Sequence, residues 1–221
     1  MYQSCWGFTT RSIGAMVMIH GDDKGLVLPP MVAEYQVVIV PIFKTKAEQA
    51  KIEEKISEIT TIFDRRKVRY HIDSTNQTPG WKFNHWEQKG VPIRLEIGPK
   101  DIKEESVTIV IRHSGEKRMM KISGLRLTIP RQLKTIHREM LRNTKKILRQ
   151  RTKKVRTWTS FINHIRQNNL VLIPWCETKE CEADVQESSA KNILQFRKRL
   201  VKKGELEEKD LEKDIGKVKT L

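Results

Sequence analysis

The sequence predicts an α/β protein in which a β-sheet is covered by helices. Residues 36–42 form a β-branched run that is apolar throughout, as expected for a buried strand. Residues 46–66 place Ile52, Ile56, Ile59 and Phe63 at helical spacing, and residues 68–72 return to strand composition. Such a β-α-β unit builds parallel strands, and ligands meet it at the loops beyond the strand ends.

The segments around this unit extend the same pattern. Residues 5–11 are predicted to be extended, and residues 13–20 to form an apolar helix that stops at Gly21. A new domain is expected to begin near Val32. After a loop over residues 73–80 and an aromatic segment, residues 91–97 and 107–111 supply two further strands, closed by a turn at residues 114–115.

The C-terminal third is predicted to be mainly helical. Residues 131–150 form a long helix that covers the sheet with one apolar face, made of Leu133, Ile136, Met140, Ile147 and Leu148. A second helix follows the candidate N-cap Thr157, and residues 170–173 form a short strand. Beyond Ser188 the tail is highly charged, which predicts a solvated helix or a disordered segment.

The charge of the chain favours a polyanionic partner. The 221 residues carry 43 Lys and Arg against 27 Asp and Glu, a net charge of +16, with 38% hydrophobic residues. Residues 131–156 contain eleven basic residues and one acid, Glu139. A solvated helix face is the alternative, but nucleic acid explains the excess better, because each neutralised phosphate releases counterions.

Cysteine usage and hydropathy indicate a reducing compartment. Only three cysteines occur, and we find no signal-like apolar stretch, so a cytoplasmic protein is expected. No run approaches the roughly 18 apolar residues that span a bilayer, so no membrane insertion is predicted. A peripheral electrostatic contact with a membrane stays open as an alternative.

Residues 79–101 (PGWKFNHWEQKGVPIRLEIGPKD) place charged residues on a segment predicted to be a buried strand. Arg94 and Glu96 are two residues apart, so a strand would put both side chains on one face. They could form an ordinary ion pair, packed against the nearby aromatic residues, or meet a ligand together.

This segment resembles the signature of the anticodon-binding domain of prolyl-tRNA synthetases of the eukaryotic/archaeal type, most specifically over GVPIRLEIGPKD at residues 90–101. Upstream, CWGFTTRSIGAMVMIHGDDKGLVLPP is similar to the family's third class II motif and the segment after it. Downstream, LVLIPWCETKEC is similar to the start of the family's C-terminal module. The resemblance covers about residues 4–181.

The resemblance implies three parts. Residues 1–31 would be the end of a class II catalytic domain, carrying motif 3. Residues 32–140 would be a mixed β-sheet anticodon-binding domain covered by helices, and residues 141–221 a small, degenerate α/β C-terminal module with a divergent charged tail. The implied function is a proline–tRNA ligase, which charges proline tRNA using ATP.

The first implied site binds ATP and the prolyl adenylate through Thr9 and Arg11, on a strand of motif 3. A permanently charged guanidinium neutralises the negative charge that builds up on the phosphates. The alternative is that Arg11 is an ordinary surface arginine. Motifs 1 and 2 have no counterpart before residue 4, so the isolated chain is expected to bind rather than catalyse.

The second implied site reads the anticodon, which for proline ends in two guanines. Arginine or lysine can donate to guanine O6 and N7, and a carboxylate can accept from N1 and N2. The family's base-reading positions correspond here to Glu87, Arg94, Lys100 and Asp101. Composition adds Lys145 and Lys146 of the basic helix as contacts to the tRNA backbone.

The family's zinc site is incomplete in this sequence. Cys176 and Cys181 match the first cysteine pair, but no Cys or His follows Cys181, and a structural zinc usually takes four ligands. Stoichiometric zinc is therefore not expected. The implied cofactor of the complete enzyme is ATP with Mg²⁺.

The implied partners are proline tRNA, proline and ATP. Motif 1, which contributes to the class II dimer interface, is missing, so a homodimer is not expected of this chain. The chain would be a fragment of a longer enzyme or a gene product that kept the tRNA-binding half. A free-standing, non-catalytic tRNA-binding or accessory module is the alternative function, and an upstream glutamyl-tRNA synthetase half stays open.

Overall fold

The computed structural model describes residues 4–43 and 45–202. The chain divides into two compact units, Met1–Thr144 and Lys145–Leu221. The three-part division at residues 31 and 140 that the sequence suggests stays a prediction. Within the described residues, no helix is long and apolar enough to cross a membrane. The charged tail is described as far as Lys202, and the rest of it lies outside the described residues.

The first unit is built on a five-stranded mixed sheet, which confirms the α/β fold class. Its strands are β1 (Val37–Pro41), β2 (Tyr70–Ile72), β3 (Ile93–Ile97), β4 (Ser106–Ile111) and β5 (Lys117–Lys121), in the order β2-β1-β3-β4-β5. β2, β1 and β3 run parallel, whereas β4 and β5 are antiparallel additions. The predicted β-α-β unit is therefore confirmed.

The helices of this unit are α1 (Arg11–His20), α2 (Lys46–Arg65), α3 (Pro79–Gln88), α4 (Pro99–Lys103) and most of α5 (Leu125–Arg151), whose last residues belong to the second unit. In the second unit, β6 (Thr152–Lys154) pairs in parallel with β7 (Leu170–Leu172), and the helices are α6 (Trp158–Arg166) and α7 (Lys179–Lys202). Phe161 and Ile162 of α6 form a small core with Val155. Thr157 is the N-cap of α6 as predicted, although its side chain makes no capping hydrogen bond.

One face of the sheet carries the main core. The helix α2 begins at a capping box between Thr45 and Glu48, and its predicted apolar stripe is buried. This stripe packs with the buried residues of α5 and with alternate residues of the central strands, such as Ile39, Leu95 and Ile109. Because side chains alternate along a strand, the intervening residues point to the opposite face.

The opposite face has a smaller core beneath α3, made of Val38, Val40, Trp86 and Val91. Strand register places Arg94 beside Val38, and Glu96 beside Val40, so both charged side chains lie on this face. The sheet therefore has one apolar face and one face on which ionic groups adjoin a small aromatic cluster.

Residues 22–28 pack against the C-terminal end of α3 and the turn after it. Leu26 N–H donates to the Gln88 carbonyl at 2.9 Å, and Leu28 N–H to the Gly90 carbonyl at 3.1 Å. Gly25 has φ +130°, and a Cβ there would lie 2.7 Å from Gln88 Cα, so both the backbone conformation and the space require glycine. A bidentate pair between Arg112 and Asp22, at 2.7 and 2.6 Å, fixes the start of this segment.

Three sequence-based expectations are wrong. Residues 5–11 form no strand, and Arg11 is instead the first residue of α1, a helix that buries none of its residues. The long helix starts at Leu125 rather than at residue 131 and continues through Pro130. The basic segment over residues 131–156 is not one helix, because α5 ends at Arg151 and Lys153 and Lys154 lie in β6.

The apolar face of α5 is buried only in part. Leu133, Ile136 and Met140 belong to the main core, whereas Ile147 and Leu148 are 53% and 55% exposed. α5 therefore extends beyond the main core, against which its first part packs. Strand β5 was also missed, because its sequence, KRMMK, has no apolar alternation strong enough to indicate a strand; it is defined by pairing with β4.

We expect Ile136→Ala to lower the free energy of unfolding by about 2 to 5 kcal/mol, because it leaves a cavity in the main core. Ile147→Ala is the matched control in the same helix, and should change the free energy by no more than about 0.5 kcal/mol. Chemical denaturation of both variants measures the difference. A loss at Ile147 as large as that at Ile136 would show that the second half of α5 is buried in solution.

The Asp22–Arg112 pair predicts a pH dependence. The hydrogen bond from Arg112 lowers the pKa of Asp22 to about 2, against an ordinary value of about 3.9 in the unfolded chain. The folded pKa is depressed, so this contribution is present above pH ~4 and is lost as the pH falls towards 2. Between pH 4 and 2 the urea midpoint should fall more steeply for the wild type than for Asp22→Asn; parallel curves would contradict the pair.

Candidate nucleic-acid interface

Arg94 is held in one orientation by contacts on three sides. Its Nε donates to Glu96 Oε1 at 3.1 Å, and its Nη2 lies 3.0 Å from the same oxygen. Its Nη1 donates to the Phe83 carbonyl at 3.2 Å, and the guanidinium lies 4.4 Å from the centre of the Phe83 ring. Both interpretations of the sequence are compatible with this geometry. Arg94 forms the ion pair with Glu96, and its side chain stays 15% exposed and can meet a ligand.

These contacts do not use all of the N–H donors of Arg94. A guanidinium has five N–H donors, and no more than three have an acceptor among the residues that the structure describes. At least two donors remain, and a planar fork with two donors matches the O6 and N7 acceptors of guanine.

Glu96 lies between two cations. Its Oε2 is 2.8 Å from Lys117 Nζ, and its side chain is only 6% exposed, whereas Lys117 is 61% exposed. The Glu96 carboxylate therefore holds the Arg94 guanidinium through one oxygen and pairs with the exposed Lys117 of β5 through the other. Lys117 was not indicated by the sequence, because its partner Glu96 belongs to another strand. Aromatic packing around the pair by Trp81, Phe83 and Trp86 was expected from the sequence, and Phe83 contacts Arg94.

Glu87 and Arg94, two of the four predicted base readers, lie near each other. Both line one shallow depression between α3 and strands β3 and β4. The Glu87 carboxylate lies 3.1 Å from Lys24 Nζ, an exposed pair, and the Glu87 carbonyl accepts from Arg112 Nε at 2.8 Å. The carboxylate is therefore accessible, while the backbone beneath it is fixed by a nearly buried arginine.

Lys100 and Asp101 lie on α4, directly after β3, and neither lines that depression. Asp101 Oδ2 accepts from Gly98 N–H at 2.8 Å, so its carboxylate caps the start of α4. Its Oδ1 lies 3.5 Å from Thr108 Oγ1, and Thr108 is the register partner of Glu96. The four predicted base readers thus form two pairs, one at each end of β3.

The other residues predicted to contact the tRNA backbone or ATP are exposed. Lys145 and Lys146 both lie on the exposed surface of α5. Thr9 precedes α1 in a segment without regular structure, and Arg11 begins that helix. Trp6 in the same segment is 97% exposed, and the Arg11 side chain is exposed as well.

Cys176 and Cys181 lie close to each other at the start of α7. Hydrogen bonds from the Cys181 thiol and the Thr178 hydroxyl lower the pKa of Cys176 to about 7, while the same contact with Cys176 raises the pKa of Cys181. No group of three or more His, Cys, Asp or Glu residues that could hold a metal occurs among the described residues. Two thiols alone do not make the four-ligand set of a structural zinc.

Comparison with known proteins identifies both units. Residues 36–131 match the family model of the anticodon binding domain, and residues 158–215 match the family model of the prolyl-tRNA synthetase C-terminal domain. The described part of the first match contains all five strands and the four predicted base readers.

Similar proteins are proline–tRNA ligases. A putative proline–tRNA ligase of Saccharomyces cerevisiae is 40% identical over 86% of this chain and 28% of its own length. The cytoplasmic proline–tRNA ligase of Arabidopsis thaliana is 37% identical over 84% of this chain and 35% of its own length. The chain thus spans about a third of these relatives.

Solved structures give the same result. The crystal structure of prolyl-tRNA synthetase from Cryptosporidium parvum with L-proline and AMP matches with a TM-score of 0.78 and 40% identity, covering 82% of this chain and 39% of that one. The structure of a synthetase of that organism with halofuginone and AMPPNP matches with a TM-score of 0.77. Over most of its length, the chain is therefore similar to the C-terminal region of prolyl-tRNA synthetases, and residues 36–131 match an anticodon-binding domain.

Proposed function

We propose that this chain recognises the anticodon of proline tRNA, as part of the ATP-dependent ligation of proline to that tRNA. The observation that carries the proposal is the fixed guanidinium of Arg94. It is oriented by Glu96 and Phe83, keeps at least two donors, and lies on the charged sheet face of an anticodon-binding domain. A side chain fixed before binding loses little conformational entropy when it meets a base.

Two guanines would be read by the two pairs of residues. At the depression between α3 and the sheet, Arg94 would donate to O6 and N7 of one base, and Glu87 would accept from N1 and N2. At the other end of β3, exposed Lys100 would donate to the second guanine, and Asp101 would accept from it while capping α4. Unstacked anticodon bases expose the edges that this arrangement requires.

Affinity for the tRNA backbone would come from the basic surface of α5. Lys145 and Lys146 are exposed, so they can approach phosphates without losing an internal partner. Contacts of this kind release counterions and carry no sequence information. Binding and specificity are thus assigned to different residues, which makes them separable by mutation.

The cofactor and the adenylate site of the ligase reaction are proposed from the similar structures and the family resemblance. The Cryptosporidium structures hold proline, AMP and AMPPNP, which supports ATP, with Mg²⁺, as the cofactor of the complete enzyme. Thr9 and Arg11 would contribute to its adenylate site from the start of α1. We assign tRNA binding to this part of the enzyme and propose the cytoplasm as its location.

Replacing Arg94 should remove discrimination between tRNAs. Arg94→Ala should cost about 1 to 3 kcal/mol for proline tRNA and little for a tRNA whose anticodon guanines are changed. Filter binding with both tRNAs at two or more salt concentrations measures this without requiring catalysis. The control is Lys145→Ala with Lys146→Ala, which should weaken both tRNAs alike and reduce the salt slope by roughly one for each lysine that neutralises a phosphate. Equal losses on both tRNAs for Arg94→Ala would make Arg94 structural.

Neutralising the anchor of Arg94 should have a weaker effect of the same kind. In Glu96→Gln the side chain keeps its size but loses its charge, so we expect about 1 kcal/mol less discrimination, because charged hydrogen bonds are stronger than neutral ones. The losses of Glu96→Gln and Arg94→Ala should not add in the double variant. Glu116→Gln on the exposed β4–β5 hairpin is the matched control and should leave discrimination unchanged. Full additivity would separate Glu96 from base reading.

A further inference from the structure

A cleft that neither tRNA-binding surface uses opens at the carboxyl ends of β1 and β2. It has a volume of about 410 Å³ and lies between α2 and the loop that leads from β2 to α3. Ligand-binding pockets typically start at about 300 Å³, and in sheets with parallel strands they lie beyond the carboxyl ends of the strands. Size and position therefore both suit a small ligand.

The floor of the cleft is an ion pair that is buried away from the proposed anticodon site. Lys82 and Asp73 are 4% and 2% exposed, and their charged atoms are 3.6 Å apart. The oxygens of Asp73 are already occupied: Oδ1 accepts from the Thr75 hydroxyl at 2.6 Å, and Oδ2 from Trp86 Nε1 at 2.7 Å. Burial alone would raise the pKa of Asp73, but these hydrogen bonds and Lys82 lower it overall, so the carboxylate is charged at neutral pH.

Lys82 retains at least one unused N–H donor. Its Nζ donates to the Asp73 carbonyl at 3.1 Å, and this is its one hydrogen bond to the residues described by the structure. An ammonium has three N–H donors; one is used by the Asp73 carbonyl and a second lies 3.6 Å from Asp73 Oδ1, so at least one has no acceptor among the described residues. Leaving a buried donor unsatisfied costs free energy, so the site favours a ligand that brings a hydrogen-bond acceptor.

The lining restricts what that ligand can be. Among the residues that the structure describes, its charged residues are Glu53, Asp73 and Lys82, two carboxylates against one ammonium, which disfavours a phosphate or another anion. Pro41 and Phe43 supply an apolar wall with an aromatic ring, and the rest of the rim is mainly neutral amides and hydroxyls. A neutral, flat molecule with a strong acceptor and edge donors fits this lining.

We propose that this cleft binds a nucleobase that carries a keto oxygen, with the oxygen on Lys82 and the ring against Phe43. Two sources share this chemistry. One is a free nucleoside. The other is a nucleotide of the bound tRNA, and this source rests on the proposed function. The tRNA is geometrically accessible, because Ile42 N–H donates to the Ile97 carbonyl at 2.9 Å, so the loop that carries Phe43 adjoins the start of α4 with Lys100.

Isothermal titration calorimetry of the full chain with guanosine, uridine and adenosine tests the site itself. Guanosine and uridine should bind about tenfold more tightly than adenosine, which lacks the keto oxygen. Ser57→Trp fills the cleft from the exposed surface of α2 and should abolish binding. Thr61→Trp, one turn further on the same helix and outside the lining, is the matched control and should bind as the wild type.

Filter binding of proline tRNA to the same variants identifies the source. If Ser57→Trp weakens tRNA binding about tenfold and Thr61→Trp does not, the base belongs to the tRNA. If nucleosides bind with the expected preference and both variants bind tRNA equally, the source is a free nucleoside. The proposal is overturned if Ser57→Trp changes neither nucleoside nor tRNA binding, or if adenosine binds as tightly as guanosine. A wild-type chain that binds nucleosides but no tRNA would refute the proposed function and leave the cleft assigned.

Discussion

The central strand β3 carries apolar side chains on one face and charged side chains on the other, and the rest of the first unit packs around this division. On one face, Ile93, Leu95 and Ile97 are fully buried beneath α2 and α5. On the other face, Arg94 and Glu96 lie beside the small core under α3, where the Phe83 ring contacts the Arg94 guanidinium. A one-residue shift of β3 would place both charges in the main core, so the ionic face and the strand register determine each other.

The Arg94–Glu96 pair is not explained by stability. Removing two charges from water costs several kcal/mol per ion, and the mutual attraction of a buried pair does not always offset this. Here the cost is reduced because Arg94 stays 15% exposed and Lys117, on the far side of Glu96, is 61% exposed. The pair is better understood as a means of orientation: Glu96 holds the guanidinium in one position while its side chain stays 15% exposed and at least two donors remain unused.

The same arrangement recurs at the carboxyl ends of β1 and β2, but with the charge buried deeper. Lys82 is held against Asp73, and Asp73 is in turn fixed by Thr75 and Trp86. In both places an acidic residue, each of whose oxygens accepts a hydrogen bond, positions a cation whose donors are only partly used. The two sites differ in lining, because the first adjoins accessible carboxylate and lysine side chains, whereas the second is a cleft with an aromatic wall.

Local sequence determined the elements whose signal lies within the element itself. The spacing of Ile52, Ile56, Ile59 and Phe63 fixed α2, the continuous apolar run fixed β1, and the period of two placed Arg94 and Glu96 on one face. The family resemblance at residues 90–101 named the candidate site, since a match in residue identity along a whole segment carries information that periodicity does not.

Only the tertiary structure decided how these parts meet. The pairing of β5 with β4, the exposure of Ile147 and the contact of Lys117 with Glu96 each depend on an element distant in sequence. The buried pair of Lys82 and Asp73 could not be predicted, because a lysine on a short helix is ordinarily solvated and nothing local marks it as covered. Burial is a property of the assembled sheet and helices, so it appears only when non-neighbouring segments of the chain have packed together.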